Sequence, residues 1–158
     1  MRPHGGGIVV ALARAEKWHD EEAEEVAKHW NILVADDEED LRWSLSKSLQ
    51  RRGSPYHVTC VSDGNSALAE LQERNYDLVV SDLRMPGVSG LELIREIRSR
   101  KPQVPIIVMT AYGSEEVQRE AQRHNALYIE KPFDIGHLRE LIRLTLQSPG
   151  KAATTQQH

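Results

Sequence analysis

Acidic, hydroxyl and lysine side chains follow four of the apolar runs of this 158-residue chain. One run ends in Asp36 and Asp37, others end in Asp82 and Thr110, and the last is followed by Lys131. Neighbouring carboxylates repel one another and need a cation, and an all-oxygen set with open positions suits Mg²⁺. A carboxylate beside Mg²⁺ can attack phosphorus, while a hydroxyl and an ammonium stabilise the phosphoryl oxygens. These residue types indicate chemistry that moves a phosphoryl group onto or off an aspartate.

Each of these residues also has an ordinary structural explanation when it is taken alone. An Asp-Asp pair after a strand is commonly a helix N-cap and its solvated neighbour. Lys131 before a proline is usually a surface lysine, Thr110 is a common turn residue, and Asp82 can begin an ordinary loop. The chemical interpretation therefore requires a fold that brings all of them to one edge.

Apolar runs suited to buried parallel strands alternate with amphipathic stretches, five of each. The runs are Ile32–Ala35, Tyr56–Val61, Leu78–Val80, Pro105–Met109 and Leu127–Ile129. The amphipathic stretches are Glu39–Arg51, Asn65–Arg74, Ser89–Arg100, Ser114–His124 and Ile135–Gln147, with Asp63 and Asp134 at expected N-cap positions. This alternation implies right-handed crossovers, so we predict an α/β fold with a doubly wound five-stranded parallel sheet and five helices. Ligands bind such sheets outside the carboxyl ends of the strands, where the polar residues stand.

Composition bounds the remaining possibilities. The net charge of −4 gives no reason to expect nucleic-acid or membrane binding, which select basic patches. Cys60 is the single cysteine, which excludes an intramolecular disulfide, and we expect it to be a small buried residue in a cytoplasmic protein. We predict one domain over residues 31–147, an N-terminal extension over residues 1–30 that is partly disordered with a possible helix, and a disordered tail over residues 148–158.

Four motifs resemble the signature motifs of response-regulator receiver domains, namely Ile32–Glu38 (ILVADDE), Ser81–Gly87 (SDLRMPG), Met109–Ala111 (MTA) and Lys131–Phe133 (KPF). The Asp-Leu-Arg-Met-Pro-Gly wording is similar to receivers of nitrogen-regulator-type transcription activators, and the resemblance covers about residues 31–147. It implies a flavodoxin-like sheet with strand order 2-1-3-4-5. It also implies a phosphoacceptor switch that supports only its own phosphotransfer and dephosphorylation.

The resemblance assigns the acceptor and the metal ligands by position. Asp82 would accept a phosphoryl group from the phosphohistidine of a sensor histidine kinase. Asp37 and Asp82 would bind Mg²⁺ directly, and Asp36 would act mainly through water. The backbone carbonyl of Arg84 would be the third protein ligand. Arg84 and Tyr112 would also flank the path of the water that hydrolyses the acyl phosphate. Loss of the phosphoryl group would be slow if they crowd this path, and unaffected if both side chains point to solvent.

The resemblance also assigns a switch and a conserved peptide geometry. Thr110 would donate its hydroxyl to the phosphoryl group, Lys131 would pair with it, and Tyr128 matches the switch aromatic. A cis peptide bond is expected at Lys131–Pro132. One departure concerns Asn125–Tyr128, which lacks the family's glycine and is one residue shorter. A tighter turn would leave Lys131 in place, whereas a slip would move Tyr128 to the other face of the strand.

Several functional alternatives stay open from the sequence. The eleven residues after Gln147 are too few for a DNA-binding or ATPase domain, so we expect output through a downstream protein partner or onward phosphotransfer in a relay. A homodimer through helix 4, strand 5 and helix 5 would fit the first route. A phosphohydrolase of the haloacid-dehalogenase type would need an Asp-x-Asp motif and a cap, neither of which is evident. A receiver-like adaptor that works without phosphorylation would typically have lost one of the acid, acceptor or lysine positions.

Overall fold

The structure is a computed structural model that describes residues 29–111 and 113–147. Its strands are β1 (Trp30–Ala35), β2 (Tyr56–Val61), β3 (Leu78–Asp82), β4 (Ile106–Thr110) and β5 (Ala126–Glu130). Its helices are α1 (Glu39–Leu49), α2 (Gly64–Glu73), α3 (Gly90–Arg100), α4 (Glu115–Arg123) and α5 (Ile135–Gln147). The predicted N-terminal helix, the tail after Gln147 and Tyr112 lie outside the described residues.

The five strands form one parallel sheet in the order β2-β1-β3-β4-β5, which confirms the predicted architecture. Each strand leads into a helix before the next strand begins. Every carboxyl end therefore lies at the same edge of the sheet, and among the described strands β5 pairs only with β4.

Helices cover both faces of the sheet, and each face has its own apolar core. On one face α2, α3 and α4 pack through residues such as Leu71, Ile94 and Ala121. On the other, α1 and α5 pack through residues such as Leu45 and Ile142. β3 and β4 are buried at every residue and β1 at its last four, which explains the nearly continuous apolar sequences of these central strands. The helices carry one apolar stripe each because only one side faces the sheet.

Capping side chains fix the starts of four helices. Asp63 accepts a hydrogen bond from the Ser66 amide at 2.7 Å, and Asp134 accepts one from the Gly136 amide at 2.6 Å, so both predicted caps are confirmed. Ser89 and Ser114 cap α3 and α4 in the same way, which places them just outside the helices in which the sequence prediction included them.

Two other details differ from the sequence predictions. β1 begins at Trp30, one residue before the predicted domain boundary, because the Trp30 amide donates to the Pro55 carbonyl at 2.8 Å and extends the pairing with β2. Cys60 is only half-buried against α1, and this burial raises the pKa of its thiol. None of the described helices is long and apolar enough to cross a membrane.

Candidate functional site

Three carboxylates meet at the carboxyl edge of the sheet. Ala35 pairs with Ser81 in the parallel register of β1 and β3, so the following residues, Asp36 and Asp82, come side by side. Asp36 is fully buried and Asp82 is 6% exposed, while Asp37 is exposed. Each of the three offers a carboxylate oxygen within 4.8 Å of the others. The predicted acidic cluster is therefore brought together by the strand order.

The backbone around Asp82 depends on a glycine at the start of α3. The Gly90 amide donates to the Leu83 carbonyl at 3.1 Å, which draws the helix against the end of β3. A Cβ atom at Gly90 would lie 2.4 Å from the Leu83 Cα and 2.6 Å from the Asp82 carbonyl oxygen. Only glycine allows this approach, and the short loop that results holds Asp82 beside β1.

Lys131, which directly follows β5, places its ammonium at the same site. Its ammonium lies 2.8 Å from Asp36 Oδ2, 3.1 Å from Asp82 Oδ2 and 3.1 Å from Glu38 Oε1. The side chain is 12% exposed, so these contacts form in a largely desolvated setting. Lys131 is placed by the extension of β5 past Glu130, where its amide donates to the Thr110 carbonyl at 2.7 Å.

Burial and charge act in opposite directions on this cluster. Burial raises the pKa of the Asp36 carboxyl, although Lys131 and the Glu38 amide favour its ionised form. Burial also works to lower the pKa of Lys131, but hydrogen bonds to Asp36, Asp82 and Glu38 outweigh it and hold that pKa well above its usual range. Lys131 is therefore a permanent cation that partly neutralises the acids.

The donor set fits a magnesium ion. Asp36, Asp37 and Asp82 supply hard carboxylate oxygens, and the described residues bring no thiolate or imidazole into the cluster. The Arg84 amide donates to Asp82 Oδ1 at 3.1 Å, and the Arg84 side chain is exposed. The loop that carries Arg84 therefore folds back against Asp82. Metal ligation by the Arg84 carbonyl stays a prediction. The role of Tyr112, which lies outside the described residues, also stays a prediction.

Thr110 and Tyr128 lie on the same face of the sheet. Val108 pairs with Tyr128 and Thr110 pairs with Glu130, so alternate residues from β4 and β5 share that face. The turn before β5 is tight, with Asn125 in the left-handed region at φ 53°. This turn absorbs the missing residue, so Tyr128 keeps its face and Lys131 reaches the acids. The Lys131–Pro132 peptide is cis, as predicted.

The Tyr128 hydroxyl is buried against a glycine in the loop between β4 and α4. A Cβ atom at Gly113 would lie 1.5 Å from the Tyr128 oxygen and 2.5 Å from Glu130 Oε1. Among the described residues the hydroxyl has no hydrogen bond of regular geometry, although Gln118 and Glu130 lie nearby. Burial first, and then the Glu130 charge, raises the pKa of Tyr128.

Glu38 and Gly113 are site residues that the sequence prediction did not single out. Glu38 is the N-cap residue of α1, yet it makes no side-chain cap and contacts Lys131 instead. Its place directly after two aspartates was the available signal. Gly113 stands three residues after Thr110, where a glycine is also an ordinary loop residue, so no feature of its sequence position distinguishes it.

A family profile described as "Response regulator receiver domain" matches residues 32–143. The DNA-binding transcriptional regulator NtrC of Salmonella typhimurium is 38% identical over 107 residues, which are 66% of this chain and 22% of that protein. The regulatory protein AtoC of Escherichia coli is 37% identical over 117 residues, which are 73% of this chain and 25% of that protein. The chain thus spans a quarter or less of the length of these relatives.

Solved structures agree with the sequence matches. The chemotaxis protein CheY4 of Vibrio cholerae shares 30% identity with a TM-score of 0.67, over 73% of this chain and 98% of that one. The response regulator TrrA of Thermotoga maritima, solved in complex with Mg(2+)-BeF, shares 36% identity with a TM-score of 0.64, over 73% of this chain and 97% of that one. Both superpose on nearly the whole of the known chain.

Proposed function

This chain belongs to the response-regulator receiver domain family of two-component systems, and we propose that Asp82 is its phosphoacceptor. The phosphoryl donor is the phosphohistidine of a sensor histidine kinase. A carboxylate oxygen of Asp82 attacks phosphorus, the P–N bond to the donor imidazole breaks, and its electron pair returns to the ring. The observation that carries the proposal is the contact of Lys131 with Asp36 and Asp82 inside a cluster of three carboxylates.

The residues around Asp82 would have different roles in the phosphoryl transfer. Asp36, Asp37 and Asp82, with the Arg84 carbonyl, would hold Mg²⁺, which supplies charge neutralisation for the incoming phosphoryl oxygens. Lys131 is ready to pair with one phosphoryl oxygen because it already contacts Asp82 Oδ2. Thr110 is 2% exposed at the end of β4 and would donate its hydroxyl to another.

The same geometry supports a switch as the output. We propose that the phosphoryl group attracts the Thr110 hydroxyl. Tyr128, on the same face of the sheet, then repacks as Thr110 moves. The signal then leaves through a protein–protein contact, or the phosphoryl group passes on within a relay. The chain is a phosphoacceptor that turns over only its own phosphoryl group. A cytoplasmic setting and the lack of direct nucleic-acid or membrane binding stay predictions.

The test is phosphorylation by acetyl phosphate, followed by the mass of the intact protein. We expect the addition of one phosphoryl group with Mg²⁺, and none in excess EDTA or in Asp82→Asn. Asp77→Asn is the matched control, because Asp77 binds the Asn31 amide at 2.7 Å at the amino end of the strands. Labelling of Asp82→Asn, or labelling without a divalent cation, would exclude the proposed acceptor chemistry. A protein that signals without any phosphorylation would instead fit the receiver-like adaptor that the sequence leaves open.

A further inference from the structure

We propose that Arg98, on α3, is a positioning residue that fixes the register of β5 and thereby places Tyr128 and Lys131. The functional consequence rests on the proposed phosphorylation switch, whereas the structural consequence can be tested without it. Arg98 is remote in sequence from Asp82, and the motifs of the site do not include it.

The guanidinium of Arg98 binds four backbone carbonyls in two separate segments. It donates to His124 at 2.5 Å and to Asn125 at 3.3 Å, in the turn that ends α4. It also donates to Val104 at 2.5 Å and to Pro102 at 3.4 Å, in the loop between α3 and β4. The fork of the guanidinium therefore ties the chain just before β5 to the chain just before β4.

The surroundings of Arg98 indicate that its guanidinium serves to bind backbone carbonyl groups. The side chain is half-buried, and this burial lowers the pKa of its guanidinium. No carboxylate of the described residues lies within ion-pair distance of it, in contrast to Arg95 one turn earlier, which pairs with Glu120. Carbonyl groups at a helix end lack intrahelical partners, so a half-buried guanidinium there satisfies acceptors that would otherwise cost stability.

The turn that Arg98 holds is the one that departs from the family pattern. Asn125 adopts a left-handed conformation without being glycine, and β5 begins at the next residue. Within the part of the chain that the structure describes, β5 pairs with β4 alone, so its register depends on one ladder and on its turn. A slip of one residue would turn Tyr128 away from Thr110 and withdraw Lys131 from the acids. Arg98 opposes that slip because it fixes the two carbonyls that immediately precede the strand.

The experiment compares Arg98→Met with Arg95→Met. Both variants replace one guanidinium of the same helix by an uncharged thioether, but only the first releases the turn. Arg98→Lys keeps the charge without the fork, and Asn125→Gly in the Arg98→Met background relieves the left-handed residue. Amide and Tyr128 ring signals are followed by NMR in the unphosphorylated chain. Mg²⁺ affinity and the rate of labelling by acetyl phosphate are measured on the same samples.

We expect Arg98→Met to shift the signals of β5 and Tyr128, and to slow labelling by about tenfold or more, since a misplacement of about 1 Å can cost on the order of 100-fold. Its Mg²⁺ affinity should not fall, because Asp36, Asp37 and Asp82 follow β1 and β3 rather than β5, and it should rise where the Lys131 ammonium leaves these carboxylates. Arg95→Met should resemble the wild type, Arg98→Lys should show a smaller defect, and Asn125→Gly should restore part of the rate.

Unchanged β5 signals in Arg98→Met, or equal losses of Mg²⁺ affinity and labelling, would overturn the positioning role. If Arg98→Met does not fold, Arg98→Lys decides by the same comparison of Mg²⁺ affinity with labelling. If the wild type takes no phosphoryl group, the proposed function fails, and the NMR signals of β5 still decide the role of Arg98.

Discussion

At the residue scale, the site is held by one lysine among carboxylates that would otherwise repel one another. Lys131 contacts the buried Asp36, the nearly buried Asp82 and the more exposed Glu38. The attraction is worth most at Asp36, where water cannot replace the ammonium, and least at Glu38, which is 61% exposed. Lys131 therefore serves the resting structure as well as the proposed reaction.

Replacing Lys131 by methionine should destabilise the protein at neutral pH. We expect a loss of about 3 kcal/mol in the free energy of unfolding, since removing one partner leaves buried charge uncompensated. Mg²⁺ should restore more stability to this variant than to the wild type, because it supplies the missing positive charge. Urea unfolding with and without Mg²⁺ measures both effects. Lys101→Met is the control, because Lys101 binds Asn75 at the opposite edge; equal stability of the two variants would contradict the argument.

The residues of the site were predictable from the sequence to different degrees. Asp36, Asp82 and Lys131 are separated by up to 95 positions, yet strand order alone brings them together. The contact of Glu38 with Lys131 was not predictable, because it depends on the rotamer of a long side chain at a helix start. The sequence also left two outcomes open at Asn125, since both a tight turn and a slipped strand are compatible with its residue types.

At the scale of elements, the helix positions were well predicted because their apolar stripes must face the sheet. α5 and β2 have the bounds that periodicity predicts. Differences of one or two residues occur elsewhere at helix ends, where Ser89 and Ser114 lie just outside the helices that they cap. Capping residues belong partly to the helix and partly to the loop, so periodicity alone cannot fix these ends.

The loop between β4 and α4 should tolerate no side chain at Gly113. In Gly113→Ala the new Cβ would overlap the Tyr128 hydroxyl, so the ring must leave its buried position. We expect the pKa of Tyr128, which burial now raises, to move back toward its usual range. A spectrophotometric pH titration of the tyrosines detects this change, with Tyr128→Phe identifying the component that belongs to Tyr128. An unchanged titration in Gly113→Ala would mean that the loop yields instead of the ring.

The start of α2 should contribute to the acid sensitivity of the fold. Hydrogen bonds from the amide and hydroxyl of Ser66 lower the pKa of the Asp63 carboxyl. Because the pKa is lower in the folded chain, this contribution is present above the unfolded value of about 3.9 and is lost as the pH falls through the folded value. Asp63→Ser keeps a cap that does not titrate, so it should lose less stability than the wild type between about pH 5 and pH 3. The urea midpoints of both proteins, measured across this pH range, test this prediction. Midpoints that fall in parallel with pH in the two proteins would assign the acid sensitivity to other groups.

At the scale of the whole molecule, the five helices are held to the sheet with very different strength. α4 has Val117 and Ala121 as its only apolar residues, and only Ala121 is buried. α3 and α5 each bury at least three side chains of medium or large size. Burial of each leucine or isoleucine contributes roughly 1.5–3 kcal/mol to the free energy of folding. Polar links to α3, through Arg95–Glu120 and Arg98, supplement the weak packing of α4.

Weak packing makes α4 the element most able to move when Asp82 is modified. Its first residues follow the loop that begins after Thr110, the last residue of β4, so a change at Thr110 reaches the helix over a short distance. The face made by α4, β5 and α5, about residues 114–147, is therefore where we expect the signal to leave the molecule. We propose a population shift between two packed states, in which the phosphoryl group would favour the state where it contacts Thr110.

Beryllofluoride with Mg²⁺, which imitates the phosphoryl group, should change this face selectively. In hydrogen exchange, we expect α4 amides to exchange fastest among the described helices in the free protein, because so little apolar surface holds them. The mimic should alter exchange in α4 and β5 while leaving α2, on the far side of α3, nearly unchanged. Asp82→Asn with the same additions controls for non-specific effects of beryllofluoride. A response confined to the loops around Asp82, or identical exchange across residues 114–147 with and without the mimic, would contradict a switch on this face.

If the face forms a homodimer, the mimic should also raise the apparent mass in solution, and charge reversal at exposed Arg119 should oppose that increase without altering the exchange response.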